Sequence, residues 1–334
     1  MKFIGKLGLT MTLLMTAVVP RVSAADMKTL IIAEPGHNIG YLPLYIAIRK
    51  GYFAADGLDV KMMTLDSGSE HANAVLSGQA FAFIGGPEHD AFAKLKGGEL
   101  RTVVNIVNRG NVYYEAPKGK EPAPGQSMAD YFKGKTIAVS AYGGTPNSIT
   151  RYLLNKYNLD PRKDVVMQEM SNAAILAGVR SRNAAIGVTQ EPLIMQGIRA
   201  GIWNEPFINI PQMLGPYAYS TINVSLATIK NDPTTVKNFV AGVIRALHFA
   251  YEDQAGATAI AKLEFPTMSS DDLKATIDRT YADEMWSKDG SVTRDSWTTA
   301  QSVVLAAGVL AKPVPYDDII DMEFVDSSHA SATP

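Results

Sequence analysis

The run A-E-P-G-H-N-I-G-Y-L-P-L-Y-I-A-I-R-K-G-Y-F-A-A-D-G-L-D-V, residues 33–60, constrains the fold more than any other stretch of this chain. Residues 29–33 read as a strand, which Pro35 and Gly36 must stop. His37, Asn38, Gly40 and Tyr41 then form a loop. Pro43 suits the first turn of a helix, where a missing N–H costs nothing. Leu44, Tyr45, Ala47 and Ile48 give that helix an apolar face, and Gly51 stands where it should end. Asp56-Gly57 turns the chain, and Leu58, Val60 and Met62 alternate with Asp59 and Lys61 as in a strand. Strand, helix, strand in this space is a βαβ unit. Its first loop falls at the carboxyl end of a strand, where open α/β sheets take their ligands.

Ahead of that unit the chain carries an export address. Lys2 and Lys6 are followed by a largely apolar run, 7–19, and by small residues at Val22-Ser23-Ala24 and Ser23-Ala24-Ala25. The run is too short to span a bilayer, and the pattern is that of a cleaved secretory signal, residues 1–24. The chain has no cysteine, so no lipid anchor, disulfide, thiolate nucleophile or cysteine-bound metal is available. A periplasmic location is expected. The formal net charge of −2 offers no field to hold nucleic acid.

The β–α alternation continues. Apolar runs at 81–84 and 102–107 read as strands, with helices ending near Gly78 and near Gly97-Gly98. A loop rich in Pro, Gly and charge follows at 118–126, and then the pattern restarts. Strands are expected at 136–140, 164–170 and 184–188, with helices running to Tyr157, Val179 and Gly201. A return strand is expected at 217–229. From Pro233 the spacing of Val236, Phe239, Val240, Val243, Ile244 and Leu247 is helical. Further helices fit 254–263, 270–282 and 294–308, and 327–334 reads as a disordered tail. The expected fold class is α/β with two lobes. Lobe one takes 25–114 and 222–326, and lobe two takes 115–221. Two strands, at 113–116 and 217–223, cross between them as a hinge, and the C-terminal helices pack on lobe one.

P-L-Y-I-A-I-R-K-G-Y-F-A-A-D-G-L-D-V resembles the opening signature of substrate-binding proteins of ABC importers. The type is the nitrate/sulfonate/taurine one, which includes thiamine-pyrimidine-binding proteins. L-S-G-Q-A-F-A-F-I-G-G, G-K-T-I-A-V-S and L-A-G-V-R-S-R-N-A-A-I-G-V-T-Q-E-P are similar to later landmarks of that family. The resemblance implies a type II periplasmic binding protein fold, a small-molecule ligand, and two membrane partners, an ABC permease and its ATPase. The chain departs from the family at Phe81 and Ala184, where an acidic residue is common. The resemblance extends to thiamine-pyrimidine synthases, but those enzymes carry a cysteine-rich motif that this chain lacks.

Several loops would converge on the cleft. They offer His37, Asn38 and Tyr41, then Ser67 and Ser69, then Gly86 and Glu88 from lobe one. Lobe two offers Tyr142, Thr145 and Asn147, then Gln190 and Glu191. Helix starts near Ser69, Pro87, Pro146 and Pro192 would aim free N–H groups at sulfonate, carboxylate or phosphate oxygens. Tyr41 and Tyr142 could sandwich a flat ring, and Glu88 and Glu191 could accept N–H bonds from an amine or aminopyrimidine. Each has a structural alternative. Ser69, Asn147 and Glu191 could only cap or decorate first turns, Tyr41 could be core, and His37 could hold its own loop.

Rival chemistry finds little support. Glu70-His71 and Glu88-His89 carry metal-ligating atoms, but adjacent residues on a helix point apart, and surface placement is expected. No G-x-S-x-G, H-E-x-x-H, G-x-x-x-x-G-K-[ST] or helix-opening G-x-G-x-x-G is present. The expected function is capture of a sulfonate, carboxylate or aminopyrimidine-like solute by a monomer, without metal, cofactor or catalysis. A ligand sensor and a secreted enzyme using the same cleft are the alternatives.

Overall fold

A computed structural model describes residues 27–65 and 69–332. The expected signal segment, 1–24, lies outside the described residues. The opening unit forms as its sequence dictates. β1 (Lys28–Glu34) leads through a 3₁₀ turn to α1 (Leu42–Arg49), which has Pro43 in its first turn. Gly51 and Gly57 take left-handed conformations that L side chains disfavour, and β2 (Leu58–Thr64) follows in parallel register with β1. Next come α2 (Glu70–Leu76), β3 (Ala82–Gly85), α3 (Glu88–Lys94) and β4 (Leu100–Arg109).

The second round begins with β5 (Tyr113–Glu115), α4 (Met128–Phe132), β6 (Thr136–Val139) and α5 (Thr145–Lys156). It continues with β7 (Val166–Glu169), α6 (Asn172–Arg180), β8 (Ile186–Thr189), α7 (Leu193–Arg199), β9 (Ile208–Asn209) and α8 (Ile210–Leu214). β10 (Pro216–Ser225) then leads into α9 (Leu226–Asn231), α10 (Pro233–Glu252), α11 (Gln254–Glu264), α12 (Ser270–Ala282), α13 (Arg294–Ala306) and α14 (Glu323–Ala332).

Two five-stranded sheets result, ordered β2-β1-β3-β10-β4 and β7-β6-β8-β5-β9. In each, the fourth strand runs antiparallel to both neighbours: β10 between β3 and β4, and β5 between β8 and β9. The two halves therefore share one topology. The chain leaves the first sheet after Arg109 and returns to it at Pro216. The crossings thus fall just ahead of the segments expected to make them. Tyr113 already pairs with Thr189 and Asn209 in the second sheet, and Thr221 pairs with Gly85 in the first. The apolar alternation at these places belongs to paired strands. The turns themselves use Gly110, where a Cβ would press on Ile210, and Gly215, which has a positive φ.

Two further expectations are corrected. The return strand stops at Ser225, whose hydroxyl accepts the Thr228 N–H at 3.0 Å, so 226–229 begins α9. The expected disordered tail is instead the end of α14 through Ala332. Phe324 and Val325 are buried and anchor it, and the Ser328 hydroxyl donates to the Phe324 carbonyl at 2.7 Å.

The C-terminal helices rest mainly on the first lobe: α10 packs on α1, α13 on β10 and α14 on β4. Two of them reach further, with α12 against α7 and α13 against α5. Phe239 of α10 is fully buried and stacks on Phe53 at 4.7 Å, joining the last third of the chain to its opening unit. Phe239→Ala is expected to lower stability by about 3–5 kcal/mol, because the site is packed on all sides. Urea unfolding should show one transition moved to lower midpoint. Two separate transitions, with only one moved, would mean that the C-terminal helices fold independently of the first sheet.

Candidate functional site

The loops that follow β1, β3, β6, β7 and β8 reach one cleft between the sheets. An inner hollow of about 60 Å³ opens beside an outer one of about 410 Å³. Pro35, Asn38, Asn172 and Gln190 line both. The inner space holds only a few atoms, enough for a head group or the edge of a ring, while the outer one can take a larger body. Both lobes contribute to each wall, so a solute there touches both.

The structure separates the sequence candidates. Asn38, Tyr41, Gly86, Thr145 and Gln190 line the inner hollow, and His37 and Glu191 line the outer one. Tyr41 is buried, and its hydroxyl takes a long 3.5 Å bond from Ser220. Burial pushes this phenol up to about 12. Gln190 donates from Nε2 to the Tyr219 hydroxyl at 2.6 Å, a link from lobe two to β10. His37 stacks on Tyr45 with ring centroids 4.3 Å apart and lies 3.5 Å from carboxylates of both Glu34 and Glu264. Burial works against its charged form, but the two carboxylates outweigh that and raise its pKa.

Four candidates do not line either hollow, and a fifth, Ser67, lies outside the described residues. Ser69 is exposed, with no side-chain cap bond. Asn147 is spent on structure: it donates to the Ser140 carbonyl at 2.8 Å and accepts from Arg151 at 2.8 Å. Tyr142 is exposed, and the Arg151 guanidinium covers its ring at 5.0 Å. The expected sandwich with the buried Tyr41 is therefore not formed. Glu88 lies beneath the inner hollow rather than in its wall. A Cβ on Gly86 would fall 2.0 Å from its Oε2, which is why only glycine fits above it. Its Oε1 accepts from Thr145 of the opposite lobe at 2.5 Å.

His71 and His89, expected at the surface, are both buried and line the inner hollow. Their rings meet edge to face at 4.5 Å, and His71 also packs on Phe83. The short helices α2 and α3 turn these faces toward β3, which the spacing of a seven-residue helix does not reveal. Burial lowers the His89 pKa well below its ordinary value and so keeps the ring neutral. Among the described residues, no three His, Cys, Asp or Glu side chains gather to hold a metal ion. Asn172, Tyr219 and Ser220 were also missed. Asn172 follows a strand end and could have been found by that rule, whereas Tyr219 and Ser220 read only as return-strand core.

Among the described residues, neither hollow is lined by lysine or arginine. Amides, hydroxyls, imidazoles and aromatic rings make most of the walls, with the Glu191 carboxyl in the outer one and the Glu88 carboxyl below the inner one. Such a surface recognises hydrogen-bonding groups better than free negative charge.

Glu191 does not wait for a ligand. Its Oε1 accepts from Arg279 at 2.9 Å, and its Oε2 accepts from Thr276 at 3.2 Å, both on α12. Burial raises its pKa against the pull of Arg279. This pair ties lobe two to the C-terminal helices along one flank of the cleft.

The paired sheets and shared cleft define the class: this is the fold of the two-lobed periplasmic binding proteins. The alkanesulfonate-binding protein SsuA from Xanthomonas axonopodis pv. citri superposes with a TM-score of 0.72 at 16% identity, over 90% of this chain and 100% of that one. The periplasmic nitrate-binding protein NrtA from Synechocystis gives 0.71 at 14% identity, over 92% of this chain and 90% of that one. Residues 38–257 match the NMT1/THI5-like family model, and the chain belongs to that family. The riboflavin-binding protein RibY from Chloroflexus aurantiacus is 26% identical over 303 residues, 86% of this chain and 83% of the relative.

Arg279→Ala leaves Glu191 buried without its cation and is expected to cost about 3 kcal/mol at pH 8. A buried carboxylate deprived of its partner holds its proton to higher pH than in the unfolded chain. The loss should therefore shrink as pH falls, and be smaller at pH 5 than at pH 8. Urea titrations of both proteins at the two pH values measure this, and equal losses would contradict it.

Proposed function

We propose that this chain captures a small organic solute between its lobes and delivers it to an ABC importer by hinge closure. One observation carries the reading: strand-end loops from both lobes converge on a shared hollow and already touch across it through Gln190–Tyr219 and Thr145–Glu88. A ligand that contacts both lobes favours the closed form by its difference in affinity for the two states. The ligand-contacting set is Asn38, Tyr41, Thr145, Asn172, Gln190 and Tyr219, with His37 in the outer hollow. The working division is lobe one, 25–114 with 222–326, and lobe two, 115–221, released to the periplasm by cleavage of 1–24. An ABC permease and its ATPase are the partners of the closed form.

The wall chemistry selects among ligands. Nitrate, sulfonates and carboxylates need positive charge or several free donors, and no lysine or arginine among the described residues lines the hollows. An uncharged, planar, N–H-bearing heterocycle such as an aminopyrimidine suits the amides and hydroxyls, with the outer hollow open to a larger substituent. Capture without turnover fits a site whose polar groups are paired for recognition rather than placed as nucleophile and base.

A thermal-shift screen of the mature protein with 4-amino-5-hydroxymethyl-2-methylpyrimidine, riboflavin, taurine and nitrate tests this. A bound compound at about 100 times its Kd adds about 2.7 kcal/mol of stability. A shift with a heterocycle, and recovery of that compound unchanged, is expected. Gln190→Ala should weaken it about tenfold through one lost hydrogen bond. A shift with nitrate or taurine alone overturns the ligand class, and product formation overturns capture.

A further inference from the structure

We infer that the lobes of this chain close with uptake of a proton, and that Glu88 is the group that holds it. The inference goes beyond the solute reading and needs no ligand. Glu88 is fully buried at the first position of α3, in lobe one. Its Oε1 is covered by the Thr145 hydroxyl of lobe two at 2.5 Å. Its Oε2 sits under Gly86, beneath the inner hollow, and has no hydrogen-bond partner there. The carboxyl is therefore sealed from water by contact between the lobes, and parting them uncovers it.

The groups around it do not neutralise a negative charge. Asp90, two residues along the same helix, is pushed well above its ordinary value by burial, with Thr102 and Arg101 of β4 pulling the other way. His89 is held neutral by burial, and His71 of α2 packs against it. Tyr41 from the first loop and Tyr217 and Tyr219 from β10 face the site with phenols that burial pushes up. From α5 only the Thr145 hydroxyl arrives. Among the described residues no lysine or arginine lines the hollow above Glu88, so its ionised form is poorly compensated, whereas the protonated form is an uncharged acid. Burial accordingly raises its pKa from 4.5 to about 7, with Thr145 pulling the other way.

The sign follows. The closed form binds this proton more tightly than an opened form in which water reaches the carboxyl. Closure is favoured most below the ordinary carboxylate value. It weakens as pH rises toward 7 and levels off above it. Across that window the closed-to-open ratio should fall roughly 300-fold. His37 and Glu191 also carry raised values. His37 is paired within lobe one, and Glu191 faces Arg279, so each predicts a different variant as the one that abolishes the effect.

The chain has no cysteine, so a spin label can be placed on each lobe without background. Lys61→Cys and Lys163→Cys use exposed side chains on lobes one and two. Distances between the labels are read by double electron–electron resonance on ligand-free mature protein at pH 5 and pH 8. The short-distance population should dominate at pH 5 and give way to a longer one at pH 8. Glu88→Gln should keep the short distance at both. Identical wild-type distances at both pH values, or an unchanged pH response in Glu88→Gln, overturn the inference. If Glu88→Gln does not fold, Thr145→Val replaces it. A reduced short-distance population at pH 5 supports the link, and an unaltered response overturns it. With no ligand in the sample, failure here leaves the solute reading to its own thermal-shift test.

Discussion

The whole molecule depends on one strand finding its place between two others. β10 inserts antiparallel between β3 and β4, and nearly every residue of it is buried. Its side chains fix the register by polar contacts that cannot be shifted. Asn223 donates to the Gly85 carbonyl at 3.1 Å and accepts from Thr102 at 2.6 Å, while Thr221 donates to Gly85 at 3.1 Å. The Thr102 hydroxyl lies 3.1 Å from the Asp90 carboxyl and 2.6 Å from the Asn223 Oδ1, so its single proton is shared between two buried acceptors. A slip of one residue would strand every member of that chain without water. The network ends on Gly85, which is also the floor of the inner hollow. Irregular pairing around Ser220 lets β10 present Tyr219 and Ser220 to the cleft while its neighbours stay in the sheet. Core and site are in this sense one construction.

Local signals were sufficient for the elements and insufficient for the contacts. The opening unit was legible because strand period, proline position and two glycine stops agree over 28–64. The helices α10 to α13 were legible because their apolar spacing is long. The ends of the chain segments were not. The helix after Ser225 is only six residues, and α14 is held by Phe324 and Val325 against partners far away in sequence. The strand-end rule located the cleft correctly but could not say which side chains would face it. Asn147 turned to Ser140 and Tyr142 to Arg151, both within one strand–loop–helix passage, and Glu191 turned to Arg279, far along the chain.

The same fold hosts anions in other proteins, so the backbone does not dictate ligand charge here. That choice belongs to a few side chains. Of the acidic side chains near this cleft, Glu191 lines the outer hollow, Glu88 lies under the inner one and Glu34 sits 3.5 Å from the His37 ring, while Arg151 and Arg279 pair with Glu169 and Glu191. Glu34 also accepts from Tyr45 at 2.6 Å, which holds the first loop in shape from beneath.

The place where the chain enters and leaves lobe two has a wider meaning. β5 and β9 are neighbours, with Tyr113 opposite Asn209, so this lobe begins and finishes at the same spot. It hangs on the rest of the molecule like a cartridge on a single mount. Exchange of such a unit between relatives would disturb Gly110, Gly215, the seams of α7 with α12 and of α5 with α13, and the contacts Thr145–Glu88 and Gln190–Tyr219. Half of a recognition surface could thus be inherited as one genetic parcel, giving new combinations of walls without redesign of the frame that holds them.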